Sequence, residues 1–126
     1  MRPEATLWLR LSDTDLRTAG RLLDIGIHYA SVFFAQQSAE KALKALWIVK
    51  KAELAPRTHN LVMLARELGG DESLVEAAAE LTPEYVLTRY VTPEVALPDE
   101  LYSEQSARLH LAAAQAIRDW VASQVD

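Results

Sequence analysis

The stretch His28–Lys51, HYASVFFAQQSAEKALKALWIVKK, decides the fold. Val32, Ala35, Ala39, Ala42, Leu43, Leu46 and Val49 recur within it at helical intervals, which sets them along one face of a helix. At about 3.6 residues per turn the segment is long enough for roughly six turns. The alanines on that face let a neighbouring helix approach closely. Gly26 is a stop signal before it, and Pro56, Arg57, Thr58, His59 and Asn60 break the periodicity after it, because proline lacks a backbone donor and asparagine favours turns and caps.

Upstream, Leu16, Ala19, Leu22, Leu23 and Ile25 mark a first helix, with Ser12 and Asp15 as a capping pair and Trp8 and Leu9 hinting at an earlier start. Downstream, a short helix is expected over Leu61–Leu68, ended by Gly69 and Gly70. Asp71 caps a further helix running through Leu74–Leu81. Thr82, Pro83 and Glu84 read as the start of a short segment carrying Tyr85, Leu87 and Arg89, and Pro93 and Pro98 bound the next loop. Asp99 and Glu100 open the last helix, with Leu109, Ala112, Ala113, Ala116, Ile117, Trp120 and Val121 as its apolar stripe. No alternating strand pattern, internal repeat or low-complexity tract interrupts this. The expectation is an all-α fold, an up-and-down bundle of about four to five main helices forming a single domain over residues 1–126.

Composition bounds the function. With no cysteine, disulfides, thiolate zinc sites and thiol nucleophiles are excluded, and a reducing cytoplasm fits. The first ten residues do not read as a signal peptide, and no apolar run reaches the roughly 20 residues needed to cross a bilayer, so no membrane association is expected. A net charge of −5 opposes long-range attraction to phosphate, so any nucleic-acid contact must be local. His28, His59 and His110 do not share the spacing of a metal site, and phosphate-loop, nucleophile-elbow and zinc-protease motifs are missing. No metal or cofactor is expected.

Three groups carry candidate chemistry. Gln36, Glu40 and Lys44 lie four residues apart on one face of the long helix, with Gln37 and Lys41 beside them. This stripe is either a solvated surface held by a Glu40–Lys44 pair or a hydrogen-bonding platform at a helix interface or ligand pocket. Arg57, Thr58 and His59 can together hold an anion; alternatively His59 bonds to nearby backbone and orders the turn into Leu61. Arg89 can grip a phosphate bidentately, or it pairs with an acidic neighbour while Tyr90 packs its ring into the core. Trp8, Trp47 and Trp120 read as core or dimer-interface aromatics, with base stacking as the other use.

The run from Tyr29 to Leu46, the turn Pro56-Arg57-Thr58-His59-Asn60-Leu61 and the later Thr88-Arg89-Tyr90 resemble, in order and spacing, the HEPN domain family. The resemblance implies a helical bundle, commonly a homodimer, often encoded beside a minimal nucleotidyltransferase in prokaryotic toxin–antitoxin or related systems. Many such proteins are metal-independent ribonucleases with an arginine followed by four to six residues and then a histidine. Arg89 matches the arginine, but Glu94, Val95 and Ala96 follow where the histidine belongs. Arg21 and His28 have the literal spacing but lie at the first helical junction.

The expected function is therefore an interaction module, leaning away from catalysis, that binds a nucleotide or RNA element and works with a nucleotidyltransferase partner. Gln37, Glu40, Lys44, Arg57, His59 and Arg89 are its ligand-binding candidates. The rivals are an RNA endonuclease in which His59 replaces the missing histidine, and a purely structural dimer subunit. Because no histidine follows Arg89 at the motif spacing, purified protein is expected to leave a mixed RNA pool largely intact. Robust metal-independent cleavage would contradict that.

Overall fold

The computed structural model describes residues 1–82 and 101–125. Among these residues it contains five helices and no strand: α1 (Pro3–Asp24), α2 (His28–Lys51), α3 (Leu61–Glu67), α4 (Glu72–Leu81) and α5 (Glu104–Gln124). The all-α reading holds. The segment expected to begin at Pro83, with Tyr85, Leu87, Arg89 and Tyr90, and the loop bounded by Pro93 and Pro98 lie outside the described residues.

α2 is the centre of the bundle and packs against α1, α3, α4 and α5. Val32, Ala35, Ala39, Ala42, Leu43 and Leu46 are all fully buried, as the periodicity requires. Val49 is the exception and sits at the exposed margin. Burial extends well beyond the apolar face, because Ser31, Gln36, Ser38, Glu40, Lys44, Ala45 and Ile48 are enclosed as well. Almost every side of α2 is covered.

α1 runs antiparallel to α2 in a register set by small polar residues. Ser12 Oγ donates to the Ser38 carbonyl and Ser38 Oγ donates to the Ser12 carbonyl, each at 2.8 Å, and Ser31 Oγ donates to the Ala19 carbonyl at 2.8 Å. These hydroxyls are buried, so their bonds to the facing backbone satisfy them where water cannot. Beside them the Lys41 ammonium bonds to the Asp15 carboxylate, and Arg118 on α5 grips Asp13 through Nε (2.7 Å) and Nη2 (3.1 Å). This corrects the expected helix start. Pro3 begins α1, where its missing N–H costs nothing, and Ser12 and Asp15 are mid-helix groups whose partners lie on α2. Ile25, expected on the apolar face, is exposed beyond the helix end.

Helix ends follow the expected punctuation. Gly26 and Gly69 adopt positive φ (80° and 83°), and each sits in a pair of backbone bonds that closes the preceding helix: Gly26 N–H to Leu23 and Ile27 N–H to Leu22, then Gly69 N–H to Arg66 and Gly70 N–H to Ala65. Asn60 and Asp71 accept from the amides of Met63 and Leu74 and so cap α3 and α4. α5 departs from expectation. Its N-cap is Ser103, in a reciprocal capping box with Ser106, and Asp99 and Glu100, expected to open it, lie outside the described residues. Its buried face is Ala107, His110, Ala114, Ile117 and Val121, while Leu109, Ala112 and Ala116 face outward. Alanine carries little directional information, so the true stripe on this helix is rotated from the expected one.

Close approach of α1 and α2 makes Ser38 intolerant of bulk. Ser38→Ala is expected to cost about 1 kcal/mol through lost hydrogen bonding, and Ser38→Leu distinctly more, because added methylenes in a packed interface cost about 1–3 kcal/mol. Urea melts of the two variants check the order.

Candidate nucleotide or RNA pocket

Helical spacing aligns Gln36, Glu40 and Lys44, and the bundle then buries all three. The Glu40 side chain is 8% exposed and that of Lys44 10%. At Oε1, Glu40 accepts from Gln36 Nε2 (3.0 Å) and from His59 Nδ1 (2.8 Å); at Oε2 it accepts from Lys44 Nζ (3.3 Å). A carboxylate only accepts, so the His59 proton in this contact lies on Nδ1. Gln37 Nε2 extends the chain by donating to Gln36 Oε1 at 2.7 Å. The solvated-surface reading of the stripe is therefore excluded, since both charges are withdrawn from water and held by one another. The alternative for His59 is corrected too: its Nδ1 meets a side chain on α2, although the ring remains 46% exposed.

Residues 52–60 connect α2 to α3 and bring His59 back to the middle of α2. Ala52 turns the chain out of α2 in the left-handed region (φ 55°). The Thr58 amide donates to the Pro56 carbonyl at 2.9 Å, a three-residue turn centred on Arg57. The Asn60 amide then donates to Thr58 Oγ1 at 3.1 Å before Asn60 caps α3.

Beside this network lies a pocket of about 260 Å³ lined by Trp8, Lys44, Ile48, Leu54, Ala55, Pro56 and Arg57. Lys44 thus belongs both to the carboxylate network and to the pocket wall. Its Nζ is 6.0 Å from the centre of the Trp8 ring, at the outer reach of a cation–π contact. Arg57 is exposed, with no hydrogen-bond or ion-pair partner among the described residues. Two cations, an indole and apolar walls therefore share one concavity.

Of the residues selected from the sequence, Glu40, Lys44 and His59 meet directly. Gln37 joins through Gln36, and Arg57 shares the pocket with Lys44. Arg89 lies outside the described residues. Trp8 lines the pocket and is not part of the buried core; no spacing rule links residue 8 to residues 44 and 57. Gln36 belongs to the stripe but not to the expected ligand set, although it is fully buried and bonded to Glu40. Among the described residues no group of three or more His, Cys, Asp or Glu side chains could hold a metal. No helix among them is long and apolar enough to cross a membrane.

The same helices and the same order are found in known proteins. The HEPN domain model matches residues 5–124, nearly the whole chain. The chain belongs to the HEPN domain family. The crystal structure of TT1696 from Thermus thermophilus superposes on this HEPN chain with a TM-score of 0.87 at 32% identity, covering 98% of this chain and 99% of that one. ST0689, an archaeal HEPN homologue, gives 0.83 at 27% identity with full coverage of both chains. No curated protein matches.

Burial sets the expected energetics of the HEPN stripe. Removing one partner of a buried, hydrogen-bonded pair strands the other charge at a cost of about 3–5 kcal/mol, against about 0.3–0.5 for an exposed helical pair. Glu40→Ala is expected to fall in the first range, and Glu40→Ala/Lys44→Ala to be less destabilising than the two single losses added together. Denaturant melts of the three variants measure the coupling.

Proposed function

We propose that this HEPN domain is a cytoplasmic interaction module that binds a nucleotide or an RNA element in the pocket between Trp8, Lys44 and Arg57. The placement of both cations in the wall of one concavity with an indole carries the reading. A phosphate calls for cationic donors, and arginine offers a planar fork that lysine does not. A base calls for an aromatic or apolar surface, and stacking on an aromatic side chain contributes about 1–3 kcal/mol per base. At about 260 Å³ the pocket is below the roughly 300–1,000 Å³ typical of small-molecule sites. A concavity of that size takes part of a nucleotide, its base or its phosphate, and the rest of a nucleotide or RNA ligand lies over the surface. The acidic net charge confines attraction to this local patch.

The module is proposed to act as a homodimer with a minimal nucleotidyltransferase partner in a toxin–antitoxin-like system. Support for this comes from the resemblance of the α2 stripe and the Pro56–Leu61 turn to HEPN domains of that kind. Arg89 is kept as a further phosphate contact on the same basis, and Gln37 as the outer end of the polar chain. An adjacent nucleotidyltransferase reading frame and co-purification of its product are the expected findings; sedimentation at micromolar concentration tests the dimer.

One observation favours the endonuclease rival. A carboxylate on His59 Nδ1 fixes the ring and its tautomer, as an acid does beneath a general base. Cleavage of RNA that disappears in both Arg89→Ala and His59→Ala would establish that reading over the binding module.

For the binding reading, calorimetric titration with adenosine 5′-monophosphate and with a ten-nucleotide single-stranded RNA is the test. Arg57→Ala is expected to weaken binding about tenfold, equivalent to about 1.4 kcal/mol, and to flatten its salt dependence. Trp8→Ala should weaken it without altering the salt slope. Equal affinity in wild type and both variants would remove the pocket from the function.

A further inference from the structure

We infer that Glu40 is a positioning residue: through His59 it latches residues 52–60 onto α2 and so holds Arg57 at the pocket, without itself touching the ligand. The inference rests on the proposed pocket and assigns roles within it. Both carboxylate oxygens of Glu40 are already occupied, Oε1 by Gln36 and His59 and Oε2 by Lys44. A buried carboxylate so engaged is a poor ligand for a phosphate, which it would repel. Its value lies in what it holds. Lys44 is one of its partners and lines the pocket directly. His59 is the other partner through which it reaches the wall of that pocket.

The connection between α2 and α3 needs such a latch. Leu54 is 67% exposed, and Arg57 makes no side-chain hydrogen bond or ion pair among the described residues. Thr58 to Pro56 and Asn60 to Thr58 are local hydrogen bonds, whereas the His59–Glu40 contact reaches the body of the bundle. Isolated turns of this kind are marginal on their own, so without a tie to the bundle the segment holds neither these bonds nor its distance from α2. The tie between Glu40 and His59, two residues after Arg57, supplies that restraint. A pocket wall restrained in advance loses less conformational entropy on binding, so the latch raises affinity through Arg57 without adding a contact.

This gives the sequence motif a division of labour. The glutamate and histidine of the stripe-and-turn pattern are internal partners, while the lysine and arginine beside them face the ligand. The expectation that all four contact the ligand is replaced by two layers joined at Lys44.

Hydrogen exchange of the Thr58 and Asn60 amides, together with adenosine 5′-monophosphate titration, tests the latch on the full chain. His59 is half-exposed on a connection, so its variants should fold even if Glu40→Ala does not. His59→Ala is expected to speed exchange at both amides about tenfold and to weaken nucleotide binding several-fold. His59→Gln, whose amide can still donate to Glu40, should restore both. Arg57→Ala should weaken binding while leaving exchange unchanged. Unaltered exchange in His59→Ala overturns the latch. So does faster exchange with undiminished affinity, because the segment would then move without consequence for the pocket. If wild type binds neither adenosine 5′-monophosphate nor RNA, the pocket reading fails, while the exchange arm still decides whether Glu40 restrains the connection.

Discussion

A charged side chain can lie inside a protein only when other groups replace the water it has lost. α2 poses this problem twice over, because helices cover it on nearly every side while its sequence keeps Glu40 and Lys44 four residues apart. The two charges answer each other in part, and Gln36 and His59 complete the shell of the carboxylate. The arrangement of the connection after α2 depends on this requirement, since one of the needed donors comes from residue 59. A local demand of electrostatics thereby joins two parts of the chain and sets where Arg57 can stand.

The seam between α1 and α2 shows the same logic with neutral groups. Ser12, Ser31 and Ser38 are small enough to let the backbones approach and polar enough to bond the facing carbonyls. Leucines at these positions would hold the helices apart; alanines would pack but leave the register to be fixed elsewhere. Because α1 is held in this register, Trp8 arrives opposite Lys44 in the carboxyl-terminal half of α2. The pocket is therefore a product of helix register as much as of the residues that line it.

Each tryptophan of the chain lies near a lysine of α2: Trp8 with Lys44, Trp120 with Lys50 and Trp47 with Lys51. At Lys50 the ammonium also donates to the Leu68 carbonyl and to Gln124, tying the ends of α3 and α5 to α2. An ammonium set over an aromatic ring within about 6 Å of its centre is attracted by the ring's negative face. The Trp8 pair lines the pocket beside Arg57 and so belongs with the site, while Lys50 belongs with the packing of the helix ends.

The sequence by itself determined the helices and most of their ends, because backbone chemistry is local: Gly26 and Gly69 take positive φ, Asn60 and Asp71 cap, and the α2 periodicity names its core from Val32 to Leu46. It also marked Glu40, Lys44, Arg57 and His59, through their spacing and their resemblance to a family to which the chain does belong. What it could not determine was orientation. A serine or aspartate within a helical run reads equally as a cap or as an interhelical partner, and only the facing helix made Ser12 and Asp15 the latter. Alanine-rich α5 left its face undecided until packing selected Ala107, His110 and Ala114 over Leu109, Ala112 and Ala116. Burial of the polar stripe, the meeting of residues 40 and 59, and the arrival of Trp8 beside Lys44 are contacts between distant positions, so only the tertiary structure decided them.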